Sequence, residues 1–286
     1  MRVLIVGGGS IGRRHYEGLG KSTGIHSVDI VEPDKKAINE IKKIEPRPVS
    51  ICNLHRSIPE GQVFDVTIIA TNSNERRWVY DKVKDISGAI IMEKFLFNNE
   101  EEYNLEKNVP VFVNMPRRAM FDYRKLRGEL NGSVDLLISR NNLPGLFSNA
   151  IHYADLLYFF TGGIELDITI DLRDEYFSKR SGYGDAHGII VMKNNKGACV
   201  VRSAPGKPIS PLVIDGCVIF EDKNKIIKKG EISNFNYLLQ SEMTGNIVND
   251  LCNTGSCQLP DYESASYLHR LILKEMRRLG CDFRIT

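Results

Sequence analysis

Three groups of residues have types and spacings that can do chemistry. His152 and Asp155 stand three apart in the apolar run SNAIHYADLLYFFTG (148–162), a spacing that puts both side chains on one helix face with Cβ atoms about 5–6 Å apart. A histidine titrates near neutral pH and can serve as a general base; on an apolar helix it is also a common core residue with satisfied ring nitrogens. Glu93 and Lys94 interrupt IIMEKFLF (90–97) at the end of a strand pattern, where a lysine read alone is a surface residue. The third group is Gly7-x-Gly9-x-x-Gly12, set between the short β-branched run Arg2–Val6 and a helical stretch, the context in which a glycine cluster carries weight. Gly7 allows a tight turn, Gly9 lets a pyrophosphate approach the backbone and Gly12 lets helix and strand pack closely. Ser10, Ile11 and Gly12 open the helix and offer N–H groups and partial positive charge to phosphates. Twenty residues after Gly12, at the end of the next strand, Glu32 stands where a ribose-binding carboxylate is expected. A carboxylate accepts from a 2′-OH and repels a 2′-phosphate, which favours NAD, while Lys35 and Lys36 leave NADP open. Thr71 and Asn72 follow the strand DVTIIA, at the carboxyl ends of parallel strands where ligands bind. The alternative for the glycines is a turn in an α/β protein without a nucleotide.

These residues need a frame. Strand patterns at Arg2–Val6, Ser27–Val31, Asp65–Ala70, Ala89–Glu93 and Val109–Asn114 alternate with helical ones at Ile11–Gly20, Asp34–Ile44 and Glu75–Asp85, which predicts a doubly wound parallel sheet over residues 1–118. Beyond Arg118 the rhythm changes. Helices at Phe121–Leu130 and Ala150–Phe160 accompany strand-like runs at Val134–Arg140, Glu165–Leu172, Ala186–Lys193, Ala198–Ser203 and Pro211–Phe220, with NNKG (194–197) as a hairpin turn. Helices at Tyr237–Cys252 and Asp261–Leu279 close the chain. Residues 119–286 therefore read as a second α/β domain with a largely antiparallel open sheet. Tyr153, Tyr158, Phe159 and Phe160 read as core; Tyr183 and Asp185 fall in the Gly-rich SGYGDAHG loop, with His187 in the following strand.

At 286 residues two domains are the natural expectation. With 38 basic against 36 acidic residues, and basic pairs scattered along the chain, a dedicated nucleic-acid binder is not expected. No apolar run is long enough to span a bilayer, and the apolar start stops too soon for a signal peptide. Cys52, Cys199, Cys217, Cys252, Cys257 and Cys281 form no CxxC and no zinc spacing, so reduced thiols in a cytoplasmic protein, with no metal, are expected.

Over nearly its whole length the chain resembles the Gfo/Idh/MocA family of NAD(P)-dependent sugar and inositol dehydrogenases. The resemblance runs through GGGSIG, ATNSNE, Glu93-Lys94, VNMPRR, His152-x-x-Asp155 and the closing LPDYESASYLHRLIL. It implies a Rossmann domain followed by a substrate and oligomerisation domain. Lys94 and His152 would flank the reacting carbon, and Glu93 and Lys94 would also line the cofactor site. Asp155 either binds a sugar hydroxyl or ties its helix to neighbouring backbone; Tyr183 and Asp185, by their loop position, and Arg117 are candidate substrate contacts. Three positions depart from the family pattern. Phe95 replaces the proline of Glu-Lys-Pro, Ser148 replaces an aspartate four residues before the histidine, and Arg76 replaces a histidine that often follows the DVTIIA strand. The implied activity is hydride transfer at a hydroxyl or keto carbon of a sugar or sugar derivative in carbohydrate or surface-polysaccharide metabolism, by a homodimer or homotetramer. Ser148 and Phe95 support an alternative, a nucleotide-binding sensor or subunit with weakened or no dehydrogenase activity. A third reading keeps the cofactor bound and recycles it within each turnover.

Overall fold

The computed structural model describes residues 1–45, 48–130, 135–178, 182–206 and 208–285. Val134 and Ser181, both within stretches read from the sequence, lie outside them. The chain divides into two units, Met1–Pro116 with Leu238–Tyr262, and Arg117–Tyr237 with Glu263–Thr286.

In the first unit, β1 (Arg2–Val6), α1 (Ser10–Leu19), β2 (Ser27–Val31), α2 (Lys35–Lys42), β3 (Ile51–His55), β4 (Phe64–Ile69), α3 (Arg76–Val83), β5 (Ser87–Met92) and β6 (Val111–Val113) alternate as the pattern predicts. The strands pair in parallel in the order β3-β2-β1-β4-β5-β6. Strand order reverses between β1 and β4, the switch point at which open α/β sheets bind ligands. β1, β2, β4 and β5 are almost wholly buried, as strands covered on both faces must be. The edge strand β3 has no counterpart among the strand patterns of the sequence: ICNLH neither alternates nor runs apolar, as suits a strand half-exposed at the sheet edge.

The second unit contains α4 (Phe121–Glu129), β7 (Leu136–Leu143), α5 (Phe147–Phe160), β8 (Asp167–Phe177), β9 (Gly184–Asn194), β10 (Gly197–Ser203), β11 (Leu212–Ile214), β12 (Cys217–Phe220), β13 (Lys225–Lys228) and β14 (Glu231–Asn234). Its eight-stranded sheet runs β14-β13-β12-β11-β7-β10-β9-β8, antiparallel except for the β7–β10 pair. Register separates the two faces. One row, Met192, Cys199, Ile138, Ile214 and Cys217, is buried, as is the neighbouring row Ile170, Ile190, Val201 and Arg140. The opposite face carries Val191, Val200, Ser139, Val213, Val218, Ile227 and Ile232 in one line across the strands, half-buried apart from the exposed Ile232. The run Pro211–Phe220 is two strands rather than one: Asp215 (φ 46°) and Gly216 (φ 76°) form a turn between them, and Asp-Gly is the pair such a hairpin turn prefers.

Two helices end the chain, α6 (Gln240–Thr254) and α7 (Tyr262–Arg278). The sequence pattern assigned all of 119–286 to the second domain, but α6 and the segment to Tyr262 belong with the first unit. α6 lies against α1 at backbone distance. A Cβ on Gly18 would sit 2.9 Å from the Gln240 carbonyl oxygen, and one on Gly245 2.7 Å from that of Gly18. Among the described residues no helix is long and apolar enough to cross a membrane, and all six cysteines are free thiols.

Candidate active site

The glycine turn is built as its spacing requires. Gly7 has φ +101°, and a Cβ there would meet the Ala70 carbonyl at 2.8 Å, so only glycine fits between β1 and the end of β4. A Cβ on Gly12 would lie 1.9 Å from the Gly7 carbonyl oxygen, whereas above Gly9 nothing stands within 4 Å. The first α1 hydrogen bond runs from Arg13 N to Gly9 O at 3.0 Å, which leaves the N–H groups of Ser10, Ile11 and Gly12 without an acceptor inside the helix. Glu32 is pinned beside them: its Oε2 accepts from Gly8 N at 2.8 Å and its Oε1 from Asp34 N at 2.9 Å, with lone pairs to spare on both oxygens. The Thr71 hydroxyl is buried and has no hydrogen-bond partner among the described residues. An open volume over Gly9, unclaimed amides, a held carboxylate and an orphaned hydroxyl are what a dinucleotide's pyrophosphate and ribose would complete. Asn72 is half-buried in the turn leading to α3, its carbonyl accepting from Glu75 N at 3.1 Å.

Lys94 is half-buried just past the carboxyl end of β5, and the Lys94–Phe95 peptide is cis. No proline stiffens this turn; burial and one arginine hold it. Phe95, Leu96 and Phe97 are fully buried. The buried Arg76 guanidinium donates to the carbonyls of Phe95, Leu96 (3.1 Å) and Thr71. The residue that reads in the sequence only as a departure thus ties the Thr71 turn to the Lys94 turn. Glu93 is buried: its Oε1 binds His15 Nε2 at 2.9 Å and accepts from Asn114 Nδ2. Burial alone would raise its pKa, but the His15 and Asn114 bonds and the Arg76 charge hold the carboxyl below its ordinary value. His15 Nδ1 meets Thr244 Oγ1 at 2.9 Å, and Asn114 Nδ2 donates to Gln240 Oε1 at 2.8 Å. His15 has no signal in the local pattern, since its partners Glu93, Gln240 and Thr244 are all distant in sequence.

In the second unit, His152 is half-buried on α5. Asp155, three residues on, is fully buried and paired with Arg118, whose Nε donates to Oδ2 at 3.1 Å. Burial pushes this carboxyl up to about 6 despite the arginine, and the pair with Arg118 ties α5 to the segment before α4. Ser148 does not leave its helical turn without a carboxylate. Asp185, from the start of β9, accepts from Phe147 N at 2.8 Å, Ser148 N at 3.3 Å and Ser148 Oγ at 2.5 Å, capping the orphan amides of α5. Tyr183 and Asp185 therefore stand at a strand start rather than in an open loop; Tyr183 is 7% exposed, with the Arg284 guanidinium 6.0 Å from its ring. His187 is a strand residue, bonded to Ser203 Oγ at 2.9 Å. Arg117 is buried in a two-pronged pair with Glu221, at 2.9 and 3.2 Å, and faces the rings of Tyr153 and Tyr237. Gly7, Gly9, Gly12, Glu32, Thr71 and Lys94 thus gather at one edge of the first sheet, while His152, Asp155, Tyr183 and Arg117 belong to the second unit.

The sequence matches no protein-family model and no curated protein. Solved structures share the fold end to end. An oxidoreductase from Agrobacterium radiobacter, in complex with NAD+, L-tartaric acid and magnesium, superposes with a TM-score of 0.71 at 14% identity, over 98% of this chain and 97% of its own. The UDP-N-acetylglucosamine 3-dehydrogenase GnnA from Acidithiobacillus ferrooxidans gives 0.69 at 14% identity over 96% of each chain. The dehydrogenase WlbA from Thermus thermophilus, in complex with NAD and α-ketoglutarate, gives 0.66 at 14% identity over 96% of this chain and 94% of its own. The architecture, a Rossmann sheet followed by a mixed, largely antiparallel eight-stranded sheet, is therefore that of this group of dehydrogenases.

Proposed function

We propose that the protein is an NAD-dependent oxidoreductase acting at a hydroxyl-bearing carbon of a sugar or sugar derivative. The observation that carries this reading is the cradle at the glycine turn, with space over Gly9, free amides at the head of α1, the Thr71 hydroxyl and the fixed Glu32 carboxylate. Glu32 already holds two amides at the place where a 2′-substituent would lie, which favours NAD over NADP. Structural neighbours that hold NAD, and one that acts on UDP-N-acetylglucosamine, support both cofactor and substrate class. When bound, the nicotinamide supplies the hydride acceptor or donor. Lys94 donates a hydrogen bond to the reacting oxygen and stabilises the negative charge that develops there. His152 takes the hydroxyl proton during oxidation and returns it during reduction. Arg76 positions Lys94 through the carbonyls that follow it, and Asp185 fixes the start of the helix that carries His152. The line of valines and isoleucines on the open face of the second sheet supports self-association as a dimer or tetramer, and the free thiols fit a cytoplasmic setting.

NADH absorbance followed while inositols, free sugars, sugar acids and nucleotide sugars are offered in turn tests the reading. Lys94→Ala and His152→Ala each lower kcat by about 10²–10⁴-fold while NAD affinity stays within a few-fold. Near-normal rates in both variants would refute these two assignments.

A further inference from the structure

Arg140 is buried on the covered face of the second sheet, in register with Ile170, Ile190 and Val201. Its Nη2 lies 3.2 Å from Glu221 Oε2, but its Nε and Nη1 are buried and have no hydrogen-bond partner among the described residues. Glu221 has nothing more to give. It already takes two bonds from Arg117 and one from the Tyr123 hydroxyl at 2.5 Å besides the Arg140 contact, which fills the roughly four lone-pair sites of a carboxylate. The other buried carboxylate of this region, Asp155, is claimed by Arg118. Two guanidinium groups, Arg117 and Arg140, therefore share one negative charge in a buried setting, and burial of an unbalanced charge is costly unless something neutralises it. Water could satisfy the two N–H groups but not the charge; an oxyanion does both, and arginine's planar fork suits carboxylate and phosphate alike. The cluster borders α5 through Tyr153, the residue after His152, whose ring lies 5.1 Å from the Arg117 guanidinium.

We propose that this cluster is the subsite for an acidic group of the substrate, a carboxylate or a phosphate, with Arg140 as the residue that binds it. The substrate is then an acidic sugar derivative rather than a neutral sugar or inositol. The word substrate rests on the function proposed above; the anion site does not.

Calorimetric titration of the NAD-loaded protein with L-tartrate, inorganic phosphate and, as a neutral control, myo-inositol tests this. Wild type binds at least one of the two anions and binds it more tightly than myo-inositol; tartrate alone identifies a carboxylate, phosphate alone a phosphoryl group. Arg140→Gln weakens that binding about ten- to hundred-fold, and Arg140→Lys, which keeps the charge near Glu221, gives an intermediate loss. Thermal melting of both variants checks that Arg117 and Glu221 still hold the fold, and Arg140→Lys carries the test if Arg140→Gln does not fold. Equal anion binding by wild type and by every folded Arg140 variant overturns the proposal, as does an affinity for both anions no greater than for myo-inositol. The two readings fail separately. Arg140-dependent anion binding without turnover of any sugar sinks the dehydrogenase reading alone. Turnover of neutral sugars at a rate indifferent to Arg140→Lys sinks the acidic-substrate inference alone.

Discussion

In the first unit the candidate cradle is made of backbone: glycines at 7, 9 and 12, amides at the head of α1 and the chain turn after β4. In the second, α5 is held by side chains sent from elsewhere, Asp185 from β9 at its first turn and Arg118 at Asp155. The difference teaches where a site tolerates change. A backbone cradle fails when a single methyl group enters it, because no rotamer can move a carbonyl aside. A helix held by borrowed side chains loosens by degrees.

The sharpest way to break the comparison is Gly12→Ala. The new Cβ would stand 1.9 Å from the Gly7 carbonyl, so the variant should lose about 3 kcal/mol of stability and all measurable NAD binding by calorimetry. Asp185→Ala is the graded counterpart. Removing an acceptor for the α5 amides should cost about 1–2 kcal/mol, read as a lower urea midpoint. It should also reduce kcat more than it changes NAD affinity, because the loosened turn lies one step before His152. An equal loss of nucleotide binding in the two variants would erase the contrast.

The smallest effect is in pH dependence, where the units have opposite signs. Glu93 has a folded pKa below its ordinary value, so its stabilisation is complete above that value and fades as pH falls through the folded pKa. Asp155 is raised from 3.8 to about 6; its contribution is complete below pH 3.8 and is lost as pH rises through about 6. Melting curves should therefore show Asp155→Asn flattening a decline between about pH 4 and pH 6 that wild type displays. A wild-type slope retained in full by the variant would assign the titration to another group.

What the sequence revealed follows the same division. The glycine turn, Glu32 and the alternation of buried strands were legible because each is encoded by neighbours within about thirty residues. The edge strand β3 was not, since its half-exposed residues give neither period. The turn at Asp215-Gly216 carried a readable signal that the apolar run around it masked, and Lys229-Gly230, with both residues at positive φ, opens the β13–β14 hairpin in the same way. At the candidate site, His15, Arg76 and Asp185 each act through partners at least 19 and up to 229 positions away, the Arg76–Thr71 bond apart. Only the fold brings such pairs together. For Arg117 and Asp155 the sequence cannot name the partner, because Glu221 and Arg118 come from other elements.

The docking of α6 on α1 also governs how the polypeptide can be made. Gly18 leaves the ribosome early, yet the helix that must cover it lies beyond β6 by the entire strand-rich unit between them. At about 5–20 residues per second, translation of that intervening stretch takes roughly ten seconds, during which the nascent first half has an uncovered flank and His15 lacks its threonine. The flank of α1 around Gly18 is therefore open to a chaperone's hold until α6 emerges.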